Sequence, residues 1–427
     1  MNSPIQFLGI LFLIYLTIKF KRLWSIYISI LIMSDCFGIV DRNFLSFNGL
    51  NFKWFYASIF ILVGIIYNYS FFDLKKINSK KITKLNYLVI LFTTVQIISL
   101  FLTLINGYSL FSIIPFLEFV PFIFIIPLTH IFYNTSYKEL EKLQRYIVSL
   151  TILNCIIFLL TRFNLISFYD LNESFVGVDR DLVRSLTGWP IFLPIVFAQF
   201  YLKFNTKANK KIISILFLFL LVVLFSYTRS KLLSFGLMIV FTHILFTSIR
   251  IKTILKVMGG VLLFSIITLS LFEKNVTAFT ERFSNEKGVD TVDYRYLGAA
   301  ERISKTLNEN PFFGLGFIYK NDADKLHLQY RSDLLLFPDM FWPNLISTTG
   351  LVGTVVFLYL LGYIGFLFFT KKHDINAQYF IIYLIGTIAL TAASGHIFFR
   401  QSIVFSLLTA FHIALIYKKQ NILKLTT

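Results

Sequence analysis

The chain alternates long apolar runs with short polar stretches, and the runs show no helical or strand periodicity that would leave one face wet. A helix needs about 20 predominantly apolar residues to cross a bilayer. Runs of this kind occur at about 4–18, 23–40, 55–72, 86–106, 113–132, 146–167, 188–202, 212–228, 231–249, 254–272, 343–369, 377–394 and 398–417. The first and seventh are the shortest. Two pairs of spans meet at almost no loop, around Thr228 to Lys231 and around Gly395 to Arg400. The pattern predicts an all-α polytopic membrane protein with about 12–13 spanning helices. It divides into helices over 1–272 (about ten spans, with an outer loop at 168–187), a loop domain over 273–341, and further helices with a short tail over 342–427.

Basic residues orient this bundle, because short cytoplasmic loops are enriched in Lys and Arg. Alternate loops, counted with the C-terminal tail, carry 23 Lys and Arg, among them Lys80, Lys81, Lys84, Lys371, Lys372, Lys418 and Lys419. The opposite short loops carry eight: Arg42, Lys53, Arg162, Arg180, Arg184, Arg229, Lys231 and Arg400. The first set therefore belongs in the cytoplasm, the N-terminus outside and the C-terminus inside. The segment Glu273 to Phe341 falls on the outer side by parity. Its 69 residues exceed what a connection needs, and a stretch such as Ala299 to Leu307 reads as a helix leading to Pro311.

Composition agrees. The chain of 427 residues is 56% hydrophobic and 15% charged, against about 45–50% and about 25% in soluble domains. The net charge of +18 sits mostly on the cytoplasmic rim, where it meets anionic headgroups rather than nucleic acid. Cys36 and Cys155 form no CxxC pair and read as small buried hydrophobes. The run Ile5 to Ile18 lacks the flanks of a cleavable signal.

Outer loops hold 17 of the 22 carboxylates, so chemistry is expected on that face. Arg229 and Lys231 flank a turn between two apolar runs, and read either as side chains reaching the interface or as an anion site. Arg180 and Arg184 stand in a polar loop entering a helix at Gly188-Trp189-Pro190, where free backbone N–H groups favour anions. Asp293-Tyr294-Arg295-Tyr296, Glu301-Arg302 and Glu309 to Phe317 follow, with Asn310-Pro311 and two glycines marking a tight turn. Asp339 and Asn344 stand at the mouth of a span, and Gly350 and Gly353 within it read as a close-packing device. His396 and Arg400 are one turn apart if helical. No metal-ligand spacing, Walker loop, dinucleotide fingerprint or nucleophile elbow occurs, so neither metal nor cofactor is expected.

In their order along the chain, four segments resemble the bacterial O-antigen polymerase and ligase superfamily. They are Arg184 to Pro190, Thr228-Arg229-Ser230, Arg295 followed by Asn310-Pro311-Phe312-Phe313-Gly314-Leu315-Gly316, and Asn344-Leu345 with Gly350-Leu351-Val352-Gly353. The ligase branch usually has His-Asn at the start of the last motif; here Pro338-Asp339 stands upstream of Asn344. The resemblance implies a bundle of the GT-C type with one large extracytoplasmic loop, and a metal-independent glycosyltransferase in the bacterial inner membrane with its site facing outward. Its donor would be a glycan on undecaprenyl pyrophosphate, with a chain-length regulator protein as a further partner. Arg180, Arg184, Arg229, Arg295 and Arg400 would bind the pyrophosphate, and Asp339, then His396, would be the candidate base. The favoured activity is polymerisation of repeat units into O-antigen or capsular polysaccharide. The alternatives are a ligase for the finished glycan and a lipid-linked-oligosaccharide flippase.

Overall fold

The computed structural model describes residues 23–34, 46–47, 50–51, 53–68, 79–108, 116–117, 119–162, 165, 190–206, 209–225, 229–246, 291–318, 341–393 and 402–426. At some element ends, including residues 229–230 and 291–296, it describes the backbone alone. The expected spans 4–18 and 254–272 lie outside the described residues. So do residues 273–290 and 319–340 of the expected loop domain.

Twelve α-helices make up the described residues: α1 Trp24–Ser34, α2 Lys53–Tyr67, α3 Lys80–Ile105, α4 Ile125–Asn134, α5 Tyr137–Arg162, α6 Leu193–Thr206, α7 Lys210–Phe225, α8 Arg229–Phe246, α9 Thr291–Glu309, α10 Phe341–Phe369, α11 Ile375–Ala393 and α12 Ser402–Thr426. A 3-10 turn at Val120–Phe124 leads into α4. Two-residue strands, Ser46–Phe47 and Leu50–Asn51, form one small antiparallel hairpin. Otherwise the fold is the all-α polytopic membrane architecture that the apolar runs predict. Among the described residues, α3, α5, α10 and α12 are long and apolar enough to cross a membrane, and several shorter helices are apolar.

Several helices begin earlier than the apolar runs. α5 starts at Tyr137 rather than 146 because Ser136 and Glu139 cap it reciprocally. The Glu139 amide donates to Ser136 Oγ at 3.3 Å and the Ser136 amide to Glu139 Oε2 at 3.2 Å. α3 likewise starts at Lys80 rather than 86, on charged residues that are good helix formers outside the bilayer. The apolar window of α12 is 83% buried against 39% for α3, so α12 is a central helix and α3 faces lipid along one side.

The core is aromatic. Phe92 of α3, Phe122 of the 3-10 turn and Phe357 of α10 meet with ring centroids 5.1–5.7 Å apart. Phe122 also reaches Phe405 of α12 at 5.9 Å. Edge-on and tilted ring pairs of this kind gain beyond their buried area. Buried hydroxyls on the spanning helices bond their own backbone four residues back, as Ser99 does to Val95 O at 3.0 Å and Thr151 to Ile147 O at 2.7 Å. That arrangement pairs these hydroxyls against hydrocarbon, while Ser406 and Thr409 of α12 keep buried hydroxyls without a partner among the described residues.

The two ends of the bundle differ. At one end the Lys418 ammonium donates to the Tyr133 carbonyl at 3.1 Å and to the Thr135 carbonyl at the close of α4. Lys419 pairs with Asp374 at 3.2 Å, and Asp374 caps α11 through the Asn376 amide at 2.8 Å. Tyr363 near the end of α10 donates to the Lys81 carbonyl at 2.9 Å. The starts of α3, α5 and α11 and the ends of α4, α10 and α12 thus meet in a lysine-rich rim. The opposite end holds the start of α8 and the junction described next.

Candidate functional site

α10 is not the continuous span expected over 343–369. Gly350 takes φ 65° and ψ −164°, which splits it into Phe341–Thr349 and Leu351–Phe369. The lower piece, of 19 residues, is about 28 Å long and matches the hydrocarbon thickness of about 30 Å by itself. The break therefore lies at the membrane boundary away from the lysines.

A wedge of chain, residues 310–318, fills the break. The Leu351 amide donates to the Pro311 carbonyl at 2.9 Å and the Val352 amide to the Phe312 carbonyl at 3.1 Å. The Leu315 amide donates back to the Ser347 carbonyl at 2.7 Å. Groups orphaned by the broken helix are thus paired by the wedge, the condition for irregular backbone at this depth. Glycine is required on both sides. A Cβ at Gly314 (φ 76°) would stand 2.6 Å from the Gly350 nitrogen, and one at Gly350 would strike the backbone of Phe312. Gly350 is therefore a break and a docking point, which corrects its reading as a helix-packing device; a Cβ at Gly353 would strike the Thr349 side chain of the preceding turn and stand 3.1 Å from Val95 of α3.

The upper end of α3 completes the junction. The Phe317 amide donates to Thr103 Oγ1 at 2.6 Å, and Asn106 Nδ2 donates to the Leu315 carbonyl at 3.3 Å. The ring of Phe317 packs on Phe116 and Phe119 at 5.5 and 5.8 Å.

Above the wedge, α9 lies against α10. The helix expected over Ala299 to Leu307 forms and extends to Thr291–Glu309. Ala299, Arg302 and Thr306 are buried on one stripe, while Leu297, Ser304 and Leu307 are exposed. Arg302 is 3% exposed, and burial pulls its guanidinium down to about 10, with the neighbouring Tyr108 opposing that shift. Arg295 stands seven residues earlier, two turns up the same stripe. Lys305 and Glu309 pair at 3.2 Å within the helix.

The predicted residues are placed as follows. Arg229 is the first residue of α8 and Arg295 lies in the first half of α9, both with backbone alone described. Arg180, Arg184, Asp339, His396 and Arg400 lie outside the described residues, as does Glu118. The third and fourth sequence motifs do meet, through the wedge and the Gly350 break. No group of three or more His, Cys, Asp or Glu side chains suited to a metal occurs among the described residues. Sequence reasoning gave Arg302, Tyr108, Thr103 and Asn106 no role. The seven-residue spacing of Arg295 and Arg302, with Ala299 and Thr306 between and beyond, was the available signal that the two arginines share a helix face.

Residues 214–358, about a third of the chain, match the O-antigen ligase family model. That segment runs from within α7 into α10 and includes Arg229, Arg295, Arg302, the wedge, Asp339 and Gly350. The match supports the O-antigen ligase and polymerase superfamily, and with it a multi-pass membrane enzyme of the O-antigen ligase or polymerase kind. No curated protein matches the chain.

Proposed function

We propose that the protein polymerises glycan repeat units carried on undecaprenyl pyrophosphate, working as a metal-independent glycosyltransferase of the GT-C class at the outer face of the inner membrane. The observation that carries this reading is the family match over 214–358, which spans both arginine-bearing helices and the wedge between them. The wedge end is then the outer end, opposite the lysine-rich rim, as the charge bias requires.

In the reaction the acceptor sugar hydroxyl attacks the anomeric carbon of the donor glycan. The new bond is carbon to oxygen, and the bond to the pyrophosphate oxygen breaks. Undecaprenyl pyrophosphate leaves with the bonding pair, and the hydroxyl proton passes to a base, Asp339 first and His396 second. Arg180, Arg184, Arg229, Arg295 and Arg400 bind the leaving pyrophosphate, whose charge grows as the bond breaks. Each fixed donor aimed at such developing charge contributes about 10²–10³ in rate. Arg302 joins this set: its guanidinium is held out of water on the stripe that carries Arg295, where charge acts more strongly.

A ligase shares the donor chemistry, and the matched family is described as O-antigen ligase. Pro338-Asp339 in place of the ligase His-Asn favours the polymerase. Purified protein given lipid-linked repeat units tests the choice. Elongation to long chains that is lost in Arg295→Ala supports polymerisation. Transfer of finished chains to a second acceptor without elongation supports the ligase, and scrambling without bond formation would overturn both.

A further inference from the structure

The lysine-rich end carries a feature that the glycan chemistry does not use. α3 and α10 run antiparallel, in register through the contact of Phe92 with Phe357 at 5.1 Å. Toward the start of α3, the Lys84 ammonium lies over the rings of Tyr359 and Tyr363 at 5.3 and 5.1 Å. The Lys81 ammonium lies over Phe366 at 5.5 Å. Rings below a cation hold it in place without neutralising it. Lys80 stands beside them, and Lys371 and Lys372 follow the end of α10.

No Asp or Glu occurs in α3 or α10. The acid nearest in sequence to Lys371 and Lys372, Asp374, is engaged by Lys419 at 3.2 Å and by the α11 cap. Lys81 and Lys84 thus lie at the seam, with Lys80, Lys371 and Lys372 beside them in sequence at the same end and no carboxylate in either helix. The same seam is apolar toward mid-membrane: Tyr87, Leu91, Val355 and Leu358 are each about half exposed or more, at 68%, 48%, 62% and 50%.

We propose that the α3–α10 seam binds an anionic phospholipid of the leaflet at the lysine-rich end. Lys81 and Lys84 hold the headgroup phosphate, Lys80, Lys371 and Lys372 surround it, and the acyl chains lie along Leu91, Val355 and Leu358. A basic patch with a lipid-facing apolar track directly beneath it fits an anion that brings its own hydrocarbon, rather than a soluble phosphate. The rings of Tyr359 and Phe366, 51% and 52% exposed, stand at the level where interfacial aromatics anchor a protein. This site is independent of whether the chain is a polymerase or a ligase.

The test uses the full chain in nanodiscs of phosphatidylcholine with a minor share of phosphatidylglycerol, with retained lipid read by native mass spectrometry. The wild type should retain phosphatidylglycerol preferentially. K81Q and K84Q should each weaken retention about fivefold, and K81R/K84R should restore it. Tyr359→Leu, which leaves every charge in place, should weaken it less. Lys138→Gln with Lys142→Gln, at the start of α5, should leave the preference intact, and glycerol phosphate in solution should not displace the lipid. Unchanged retention in the folded K81Q/K84Q pair, equal loss in the α5 variant, or displacement by glycerol phosphate would each overturn the proposal.

Discussion

At its first turn, α3 presents Lys81 and Lys84 to the rings of Tyr359, Tyr363 and Phe366, and at its last it presents Thr103 and Asn106 to the backbone of the 310–318 wedge. The same two helices, α3 and α10, are therefore joined by ammonium groups and aromatic rings at one end. At the other they meet through the wedge, which docks on α10 by glycines and main-chain hydrogen bonds and on α3 by the Thr103 and Asn106 side chains. At the lysine-rich end, charge is spent on structure: Lys418 closes the α4 C-terminus and Lys419 pairs with Asp374. At the wedge junction the hydrogen bonds among the described residues are neutral, main-chain pairs together with the Thr103 hydroxyl and the Asn106 amide. Rigid, uncharged scaffolding beside basic residues suits a site whose ligand is an anion.

The comparison can be broken hardest at Gly350. Gly350→Ala forces a Cβ into the Phe312 backbone at a positive φ and should cost about 3–5 kcal/mol, read as a lowered unfolding temperature in detergent. Gly362→Ala in the same helix has open space at its Cβ and should be neutral or stabilising by up to about 1 kcal/mol. Equal losses in the two would remove the wedge from the account.

Arg302→Met separates structure from binding. Burial disfavours the Arg302 cation, so an apolar side chain of similar reach should leave stability within about 1 kcal/mol of wild type. Donor binding should nevertheless fall at least about tenfold, near 1.4 kcal/mol. A variant that unfolds while the surviving folded fraction binds normally would make Arg302 a structural latch to Tyr108.

At the lysine-rich end the effects should be smaller. Lys418→Met removes a charged donor from two carbonyls at a helix C-terminus, for about 1–2 kcal/mol by thermal unfolding. Ser136→Ala removes half of the capping box at the start of α5, for about 1 kcal/mol by the same measurement.

The sequence made the apolar spans legible because each is a local run, and eleven of the thirteen expected runs correspond to helical structure among the described residues. Their starts were less legible, since Ser136 with Glu139 and Lys80 extend helices past the last apolar residue into water. The Asn310 to Gly316 motif was visible, but its meaning was not. The partner of Gly314 is Gly350, 36 residues on, and only the folded chain shows that one glycine docks on the other. Glu301-Arg302 was noted without a role, because the burial of Arg302 between Ala299 and Thr306 is seen only in the folded chain. The turn at Arg229 and Lys231 offered an anion site locally, but only family resemblance joined Arg229 to Arg295, because anion binding by separated arginines leaves no periodicity.

The central claim is that arginines at the wedge end hold a lipid-linked diphosphate. Titration of undecaprenyl pyrophosphate into the reconstituted wild-type protein, Arg229→Ala and Arg295→Ala tests it most directly. Each substitution should weaken binding by about tenfold to a hundredfold, the loss of one charge-assisted contact of about 1.5–3 kcal/mol. Wild-type affinity in both folded variants would contradict it.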